Sequence, residues 1–558
     1  MLLKNNRPFA LTQPYNRKLF MRDVVSGLTL FVMLVPQGMA YALVAGVTPV
    51  MGLYASTIPL LVYAVFASSR HLSVGPTAIT SLLVFSGVSM YGQPGTPEVV
   101  SQVILLALMV GTFQLLFGVF QLGFVVKFIS PAVLGGYTSA AAFVIAISQW
   151  KHLLGIPTGT HLQVHLLLMD TVSELKELHW LTFFIGVGSI LALIILKKLD
   201  HRIPAALLVI LLSIFFVYFF ALETKGVQIV GTIPGGLPAV TFPEISLAAL
   251  RTLFVPALTI AMLGFMESLA IGRTIADKEN YKILPNQELK ALGLANIFGS
   301  FFQSFPINGS FSRSAVNHQS GGVSQVASVI TGVSIIVTLL LFTSYFYYLP
   351  NAVLAAIIVV AVYKLIDFRQ ISRLVKGKAP DKWSWLLTFV VTLFIGIQWG
   401  ILIGAIFSLL LLLSKSSKPD IVEVGYVEEE KVFRNLERFP HAKTLEGTKI
   451  LRIDSSLYFA NVIYLEEKLA DLFPEKFEFN RLIIDFSGVN NMDASSLKVL
   501  EAFMNEQDRQ GKKVFMVGMK GPVRDVVHHA GWDKKYPEQI RFSTIEQLLK
   551  EKGKNSLE

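Results

Sequence analysis

The sequence predicts an α-helical polytopic membrane protein of about fourteen spans, followed by a small α/β domain. Three observations carry that expectation. The residues are 53% hydrophobic and only 15% charged, and apolar runs near the ~20-residue spanning length recur from Gly27 to Ser414. After Lys418 those runs give way to short alternating patterns.

Candidate spans begin near Gly27, Met51, Pro76, Val99, Phe128, Trp180, Ile203, Thr252, Leu289, Ile307, Val323, Pro350, Trp383 and Gly400. Several are too short to cross alone. With the N-terminus inside, that side receives Arg7, Arg17, Lys18, Arg22, Arg70, Lys127, Lys197, Lys198, Arg202, Arg273, Lys278, Lys282 and a Lys364 to Lys382 cluster. The opposite loops hold few basic residues: Lys151, Lys176, Lys225 and Arg251. An even number of spans returns the C-terminal domain to the N-terminal, cytoplasmic side.

The first 418 residues carry 27 basic and 14 acidic side chains, net +13, and the last 140 carry 21 and 24, net −3. The basic excess thus belongs to membrane topology rather than to nucleic-acid binding. Segment 1–22 lacks the apolar core and cleavage site of a signal peptide and is expected to stay in the cytoplasm. Residues 23–418 form the expected membrane domain, 419–446 a linker and 447–558 the soluble domain. The absence of cysteine excludes disulfides, thiolate metal sites and a cysteine nucleophile. No cofactor or metal centre is expected.

Two spans are broken by glycine and proline near their starts, one at Val74, Gly75, Pro76 and Thr77, the other from Pro306 to Arg313. Paired broken spans in the two halves of a membrane protein point to a midplane site where half-helix N-termini hold an anion. Pro76 suits the first helical position, where an N–H would be orphaned anyway, and Thr77 and Thr80 add hydroxyl donors. In the second break Pro306 and Gly309 interrupt the span, Ser310 is placed to cap the helix that resumes, and Arg313 brings a guanidinium beside free backbone N–H groups. Taken singly, such a break is equally a structural kink, and snorkelling toward the cytoplasmic face is the lesser alternative for Arg313. The matched placement favours a site. Glu267, in LTIAMLGFMESLAIGR, is the only carboxylate read as lying well inside an apolar span, where a charge costs at least ~2.5 kcal/mol unless paired, hydrated or protonated. It reads as a proton or cation coupling group, or else as a helix-packing carboxylate.

VVSGLTLFVMLVPQGMAYALVAGVTPVMGLYAS (Val24 to Ser56), SSRHLSVGPTA (Ser68 to Ala78), GFMESLAIGR (Gly264 to Arg273) and NQELKALGLANIFGSFFQSFPINGSFSRSAVN (Asn286 to Asn317) resemble the sulfate permease (SulP) anion transporters. The resemblance runs in order through nearly the whole chain. It implies 7+7 inverted repeats divided into core and gate domains, a cytoplasmic STAS domain and a homodimer. Carried over residue by residue, it places substrate binding at Gln37, Tyr41, Pro76, Thr77, Ala78, Gly309, Ser310, Phe311, Ser312 and Arg313, with Glu267 as the coupling carboxylate. Tyr41 would supply an aromatic wall, Gln37 an amide donor, and Phe311 and Ser312 their backbone N–H groups. Ordinary helix packing is the alternative for Gln37 and Tyr41.

The tail reads as strands KILRID, LYFA, RLIIDF and KVFMVG alternating with helices Val462 to Phe473, Ser495 to Gln510 and Pro522 to Ala530, with a last helix from Thr544. Asp493 and Ser495 fall in the loop where some STAS relatives are phosphorylated, although Ser496 stands where that loop usually has glycine. N-capping is the alternative role there. A regulatory protein is a possible partner of this domain. His528 and His529 are adjacent and cannot share a helix face, which argues against a metal site.

No GxxxxGK[ST] phosphate loop occurs, so the expected activity is secondary active transport and not enzymatic catalysis. An ionised Glu267 would oppose anion loading and a protonated one would not, which predicts proton symport of a small anion of the sulfate, bicarbonate or dicarboxylate class. Sodium is the second choice as coupling ion, because Ile271 stands where sodium-using relatives have a hydroxyl. The alternatives are an uncoupled exchanger or channel, and a membrane-anchored signalling protein. A neutral purine or uracil would not need Arg313. The expected location is a bacterial-type inner or plasma membrane.

Overall fold

The computed structural model describes residues 10, 15–124, 130–159, 161, 163–200, 204–366, 372, 379–472 and 481–551. Arg7, Lys127, Phe128, Arg202, Ile203 and most of the Lys364 to Lys382 cluster lie outside them. The chain forms two compact units, residues 1–408 and 409–558.

The first unit is helical. Its first seven spans are α1 (Arg17–Val44), the pair α2 (Pro49–Tyr54) and α3 (Ile58–Phe66), strand β1 (Val74–Gly75) with α4 (Ala78–Val88), α5 (Pro97–Val119), α6 (Pro131–Ser148), then, after the short α7 (Trp150–Leu154) and α8 (Val164–Ser173), α9 (Trp180–Leu199) and α10 (Ala205–Phe219). The second seven are α11 (Leu247–Lys278), α12 (Pro285–Ser300), strand β2 (Asn308–Gly309) with α13 (Phe311–Gln319), α14 (Val326–Leu341), α15 (Asn351–Val362) and the helices Ala379–Phe394 and Ile397–Ser416. The third span of each half therefore begins as an extended strand and continues as a half-helix. Among the described residues, seven helical segments are long and apolar enough to cross a membrane by themselves, with α2 and α3, and likewise α6 and α7, taken together as one segment each.

The helices sort into two packed groups. In one, α12 lies against α5 and α3, α1 against α2, α13 and α14, and α11 against α4 and α5. In the other, α6 packs on Ala379–Phe394, and α15 on α7 and α9. The groups meet where α1 touches α10 and α15 and where α4 touches α6.

Glu267 is not the only carboxylate drawn into this unit. Asp23, fully buried in α1, accepts hydrogen bonds from Tyr15 Oη (2.6 Å), Val323 N (2.7 Å), Ser324 N (3.2 Å) and Ser324 Oγ (2.5 Å). Glu288, 1% exposed in the first turn of α12, accepts from Tyr63 Oη at 2.6 Å, Ser68 N at 2.8 Å, Ser68 Oγ at 2.5 Å and Ser69 N at 2.7 Å. The donors satisfy the oxygens, so each carboxylate works as a clamp between distant segments. Replacing Glu288 by alanine strands four donors, each worth about 1–3 kcal/mol when buried unpaired. The expected result is a loss of at least about 3 kcal/mol, read as a sharply lower unfolding temperature in detergent, with Glu288→Gln retaining part of the stability.

The second unit holds a five-stranded sheet in the order β4 (Val432–Asn435), β3 (Ile421–Val427), β5 (Thr448–Ile453), β6 (Arg481–Asp485), β7 (Lys513–Val517). β3 pairs antiparallel with β4 and β5, while β5, β6 and β7 run parallel. Helices Val462–Leu472, Ala494–Arg509, Gly521–His529 and Ile545–Glu551 connect or follow the strands. Their apolar sides form cores around Leu451, Phe486 and Trp532 on one side and Ile450, Phe515 and Phe542 on the other. Residues read as linker thus carry the first two strands of the sheet. The LYFA stretch forms a single bridge, Leu457 to Met492, and not a strand.

Candidate anion site at two half-helix N-termini

Proline at position 76 disfavours helix at Gly75, and Gly75 itself takes a φ of +145°, so the chain stays extended before α4. The second break behaves alike, and the two extended stretches pair. Val74 lies opposite Gly309, Gly75 lies opposite Asn308, and Ser310 N donates to Ser73 O at 2.9 Å. Because the ribbon is antiparallel, α4 and α13 leave it in opposite directions with their N-termini toward a common centre. Both positive dipole ends converge there.

Arg313, at the third residue of α13, is completely buried. Its Nη1 donates to Pro76 O at 2.9 Å and to Gln37 Oε1 at 3.3 Å, tying α13 to the start of α4 and to α1. Its Nε and Nη2 have no protein acceptor. A Cβ at Gly75 would come 3.3 Å from Nη2, close enough that the guanidinium would have to shift by a few tenths of an ångström, and the positive φ there also favours glycine. Tyr41, 7% exposed on α1, lies within electrostatic reach of the same guanidinium. Pro76, Thr77 and Ala78 are buried beside it.

Two hydroxyls play roles other than those read from sequence. Ser310 occupies the N-cap position of α13, but its side chain makes no capping bond and sits 3.4 Å from Ser312 Oγ. The first N–H groups of α13 are therefore not consumed by a cap. Thr77 does cap α4, accepting from Thr80 N, and donates to Thr80 Oγ1 at 2.9 Å. Its hydroxyl is committed to the protein. The side chains of Phe311, 63% exposed, and Ser312 point away from the packed interior.

A buried amide network holds the ribbon in place. Asn308 Nδ2 donates to Thr80 Oγ1 at 2.9 Å, Gln114 Nε2 to Asn308 Oδ1 at 3.4 Å and Asn296 Nδ2 to Gln114 Oε1 at 2.9 Å, while Ile307 N donates to Asn296 Oδ1 at 2.8 Å. Gly309 N donates to Ser268 Oγ at 2.8 Å. Any Cβ at position 264 would fall 2.0 Å from the Asn308 amide, which explains glycine there in α11. The polar letters Gln114, Asn296 and Asn308, each inside an apolar or glycine-rich run, were the available signal for this network.

Glu267 is the neighbour of Ser268 on α11 and is partly buried. Tyr137 of α6, in the other helix group, interacts with it electrostatically and has a buried hydroxyl without a hydrogen-bond partner. The carboxylate thus stands beside the ribbon and faces the boundary between the two groups.

In the C-terminal unit, Asp493 caps helix Ala494–Arg509: Oδ1 accepts from Ser496 N (2.9 Å) and Oγ (2.8 Å), and Oδ2 from Phe459 N (2.7 Å). Desolvation pushes its carboxyl up, but these donors outweigh it and hold the group below the usual carboxylate range. Ser495 is exposed in the first helical turn, and Ser496 is buried against the cap. Asp493→Ala should cost about 1 kcal/mol in unfolding of the 409–558 unit near neutral pH. A depressed carboxyl stabilises fully above its unfolded value of ~3.9 and loses that contribution as pH falls through the lower folded value. The difference between wild type and variant should therefore shrink in urea titrations below about pH 4.

Residues 20–388 match the Sulfate permease family, and residues 439–547 match the STAS domain. The chain is 35% identical over 528 residues to "Sulfate transporter 4.1, chloroplastic" of Arabidopsis thaliana, covering 91% of this chain and 76% of that one. It is 34% identical over 477 residues to human "Solute carrier family 26 member 6", covering 80% and 62%. Among solved structures it matches the murine Solute Carrier 26 family member A9 anion transporter in the inward-facing state with a TM-score of 0.89 and 27% identity, over 97% of this chain and 92% of that one. It also shares the fold of the transmembrane domain of the cyanobacterial bicarbonate transporter BicA, with a TM-score of 0.61 at 20% identity over 71% and 98% of the two chains. With a fourteen-span helical body in two halves, paired half-helices and a C-terminal sheet domain, the chain belongs to the sulfate permease family of integral membrane transporters that carry a STAS domain.

Proposed function

We propose that this chain moves a small anion of the sulfate, bicarbonate or dicarboxylate class in symport with a proton, by alternating access between its two helix groups. The observation that carries the reading is Arg313: fully buried where two helix N-termini converge, with Nε and Nη2 lacking any protein acceptor. A buried cation with spare donors calls for an anionic ligand, and helix N–H groups supply sequence-independent coordination for one. Gln37, Tyr41, Pro76, Thr77, Ala78, Gly309, Ser310, Phe311 and Ser312 line or shape that site. Glu267 carries the coupled proton. Charge neutralisation lets anion and proton load together, and the Tyr137 contact links loading to the other helix group.

The same reading places segment 1–22 and the STAS domain together on the cytoplasmic side, the protein as a homodimer, and Ser495 as a candidate regulatory position on the STAS surface. The deciding experiment is uptake of radiolabelled sulfate, bicarbonate, chloride, nitrate and succinate into proteoliposomes at two pH values. Saturable uptake of at least one, stimulated by an inward proton gradient, supports the reading. Anion flux indifferent to that gradient would replace symport by exchange or channel flow.

A further inference from the structure

A cavity of about 270 Å³ opens between the two helix groups, away from the half-helix site. It is far larger than the ~10–15 Å³ that one water needs, so it admits a small anion with part of its hydration. One wall is formed by Leu43 of α1 and by Leu82 and Phe85 of α4, the other by Ser148, Lys151 and His152 around α6 and α7. Lys151 is partly buried and, among the described residues, makes no ion pair. Of the two histidines in the lining, His152 adjoins Lys151 in sequence and His161 is already paired with Asp170 at 2.7 Å.

The position of the cavity along the helices gives it a purpose. Leu82 and Phe85 lie four and seven residues beyond the first residue of α4, or roughly 6 and 10 Å along its axis at ~1.5 Å per residue. Leu43 and Val44, in the last turn of α1, line the cavity at the end of that helix. An uncompensated cation in a partly closed cleft concentrates anions there.

Resting on the transport reading above, we propose that this cavity is a second anion site, a capture station on the membrane face opposite the start of α1. In it Lys151 holds the incoming ion before it passes to the half-helix site. Side-specific kinetics test this. Sulfate and bicarbonate are the probes, in proteoliposomes whose protein orientation is set by protease access to the STAS domain. Lys151→Gln should raise the half-saturating concentration about tenfold for entry from the cavity face, and leave entry from the other face and the maximal rate within about twofold. Lys151→Arg should restore wild-type behaviour, and the Lys151→Gln effect should fade with added inert salt. Wild-type flux with an unshifted Lys151→Gln, or an equal shift from both faces, overturns the capture site alone. Absence of saturable flux of either probe in the wild type overturns the transport reading and the capture site with it.

Discussion

Arg313→Gln abolishes saturable anion uptake and the accompanying ligand-induced rise in thermal stability. The side chain reaches the centre of the site already anchored, because Nη1 is held by Pro76 O and Gln37 Oε1 while Nε and Nη2 stay unclaimed. A bound anion would take those two donors as charge-assisted hydrogen bonds, worth about 1.5–3 kcal/mol each. Losing both weakens binding by roughly 10²- to 10⁴-fold at about 1.4 kcal/mol per decade. Lysine keeps the charge but has no planar fork, so it cannot hold Pro76 O and two anion oxygens in fixed geometry. Arg313→Lys should therefore retain weak uptake with a half-saturating concentration raised about tenfold or more. Isothermal titration and uptake on the same preparations check both variants. Unaltered anion affinity in Arg313→Gln would remove the site from this part of the molecule.

How far the sequence reached depended on whether a feature is local. The Gly75-Pro76 and Pro306-Gly309 breaks are local, since proline and glycine dictate backbone behaviour wherever they stand. Their positions therefore marked the half-helices. The pairing of Val74 with Gly309 was not legible, because a two-residue strand has no periodicity to detect. Ser310 was misread for a related reason: its residue type suits capping, yet its amide is drawn to Ser73 O and its hydroxyl makes no cap. Apart from Tyr15, the donors to the clamps at Asp23 and Glu288 lie roughly 220 to 300 residues away in sequence, and NQELKALG by itself reads as an exposed helix start. In the tail, the stretch 419–446, expected to be a linker, holds IVEVGYV, whose alternating Val and Tyr pair as β3 just ahead of the acidic run Glu428 to Glu430.

Glu267→Gln uncouples the carrier: uptake no longer responds to a pH gradient, while exchange of labelled for unlabelled anion continues. The amide is nearly isosteric with the protonated acid and cannot ionise, so it fixes the loaded condition of the coupling group at every pH. On the proposed symport mechanism, an ionised Glu267 beside the Ser268 and Gly309 contact would oppose an incoming anion, and proton binding would remove the opposition. Linkage makes that reciprocal, so bound anion favours the proton by the same factor, typically about 5- to 150-fold. The variant should lose that whole range of stimulation by an inward proton gradient. Counterflow at symmetric pH should stay within about threefold of wild type, because return of the substrate-loaded protein needs no proton release. Tyr137→Phe offers an internal comparison, since Tyr137, in the opposite helix group, interacts electrostatically with Glu267 and its buried hydroxyl has no hydrogen-bond partner. If that contact signals protonation across the boundary, Tyr137→Phe weakens gradient stimulation without abolishing anion binding. Undiminished pH-driven uptake in Glu267→Gln would assign the proton to another group, and the carboxylate would then be a packing element of α11.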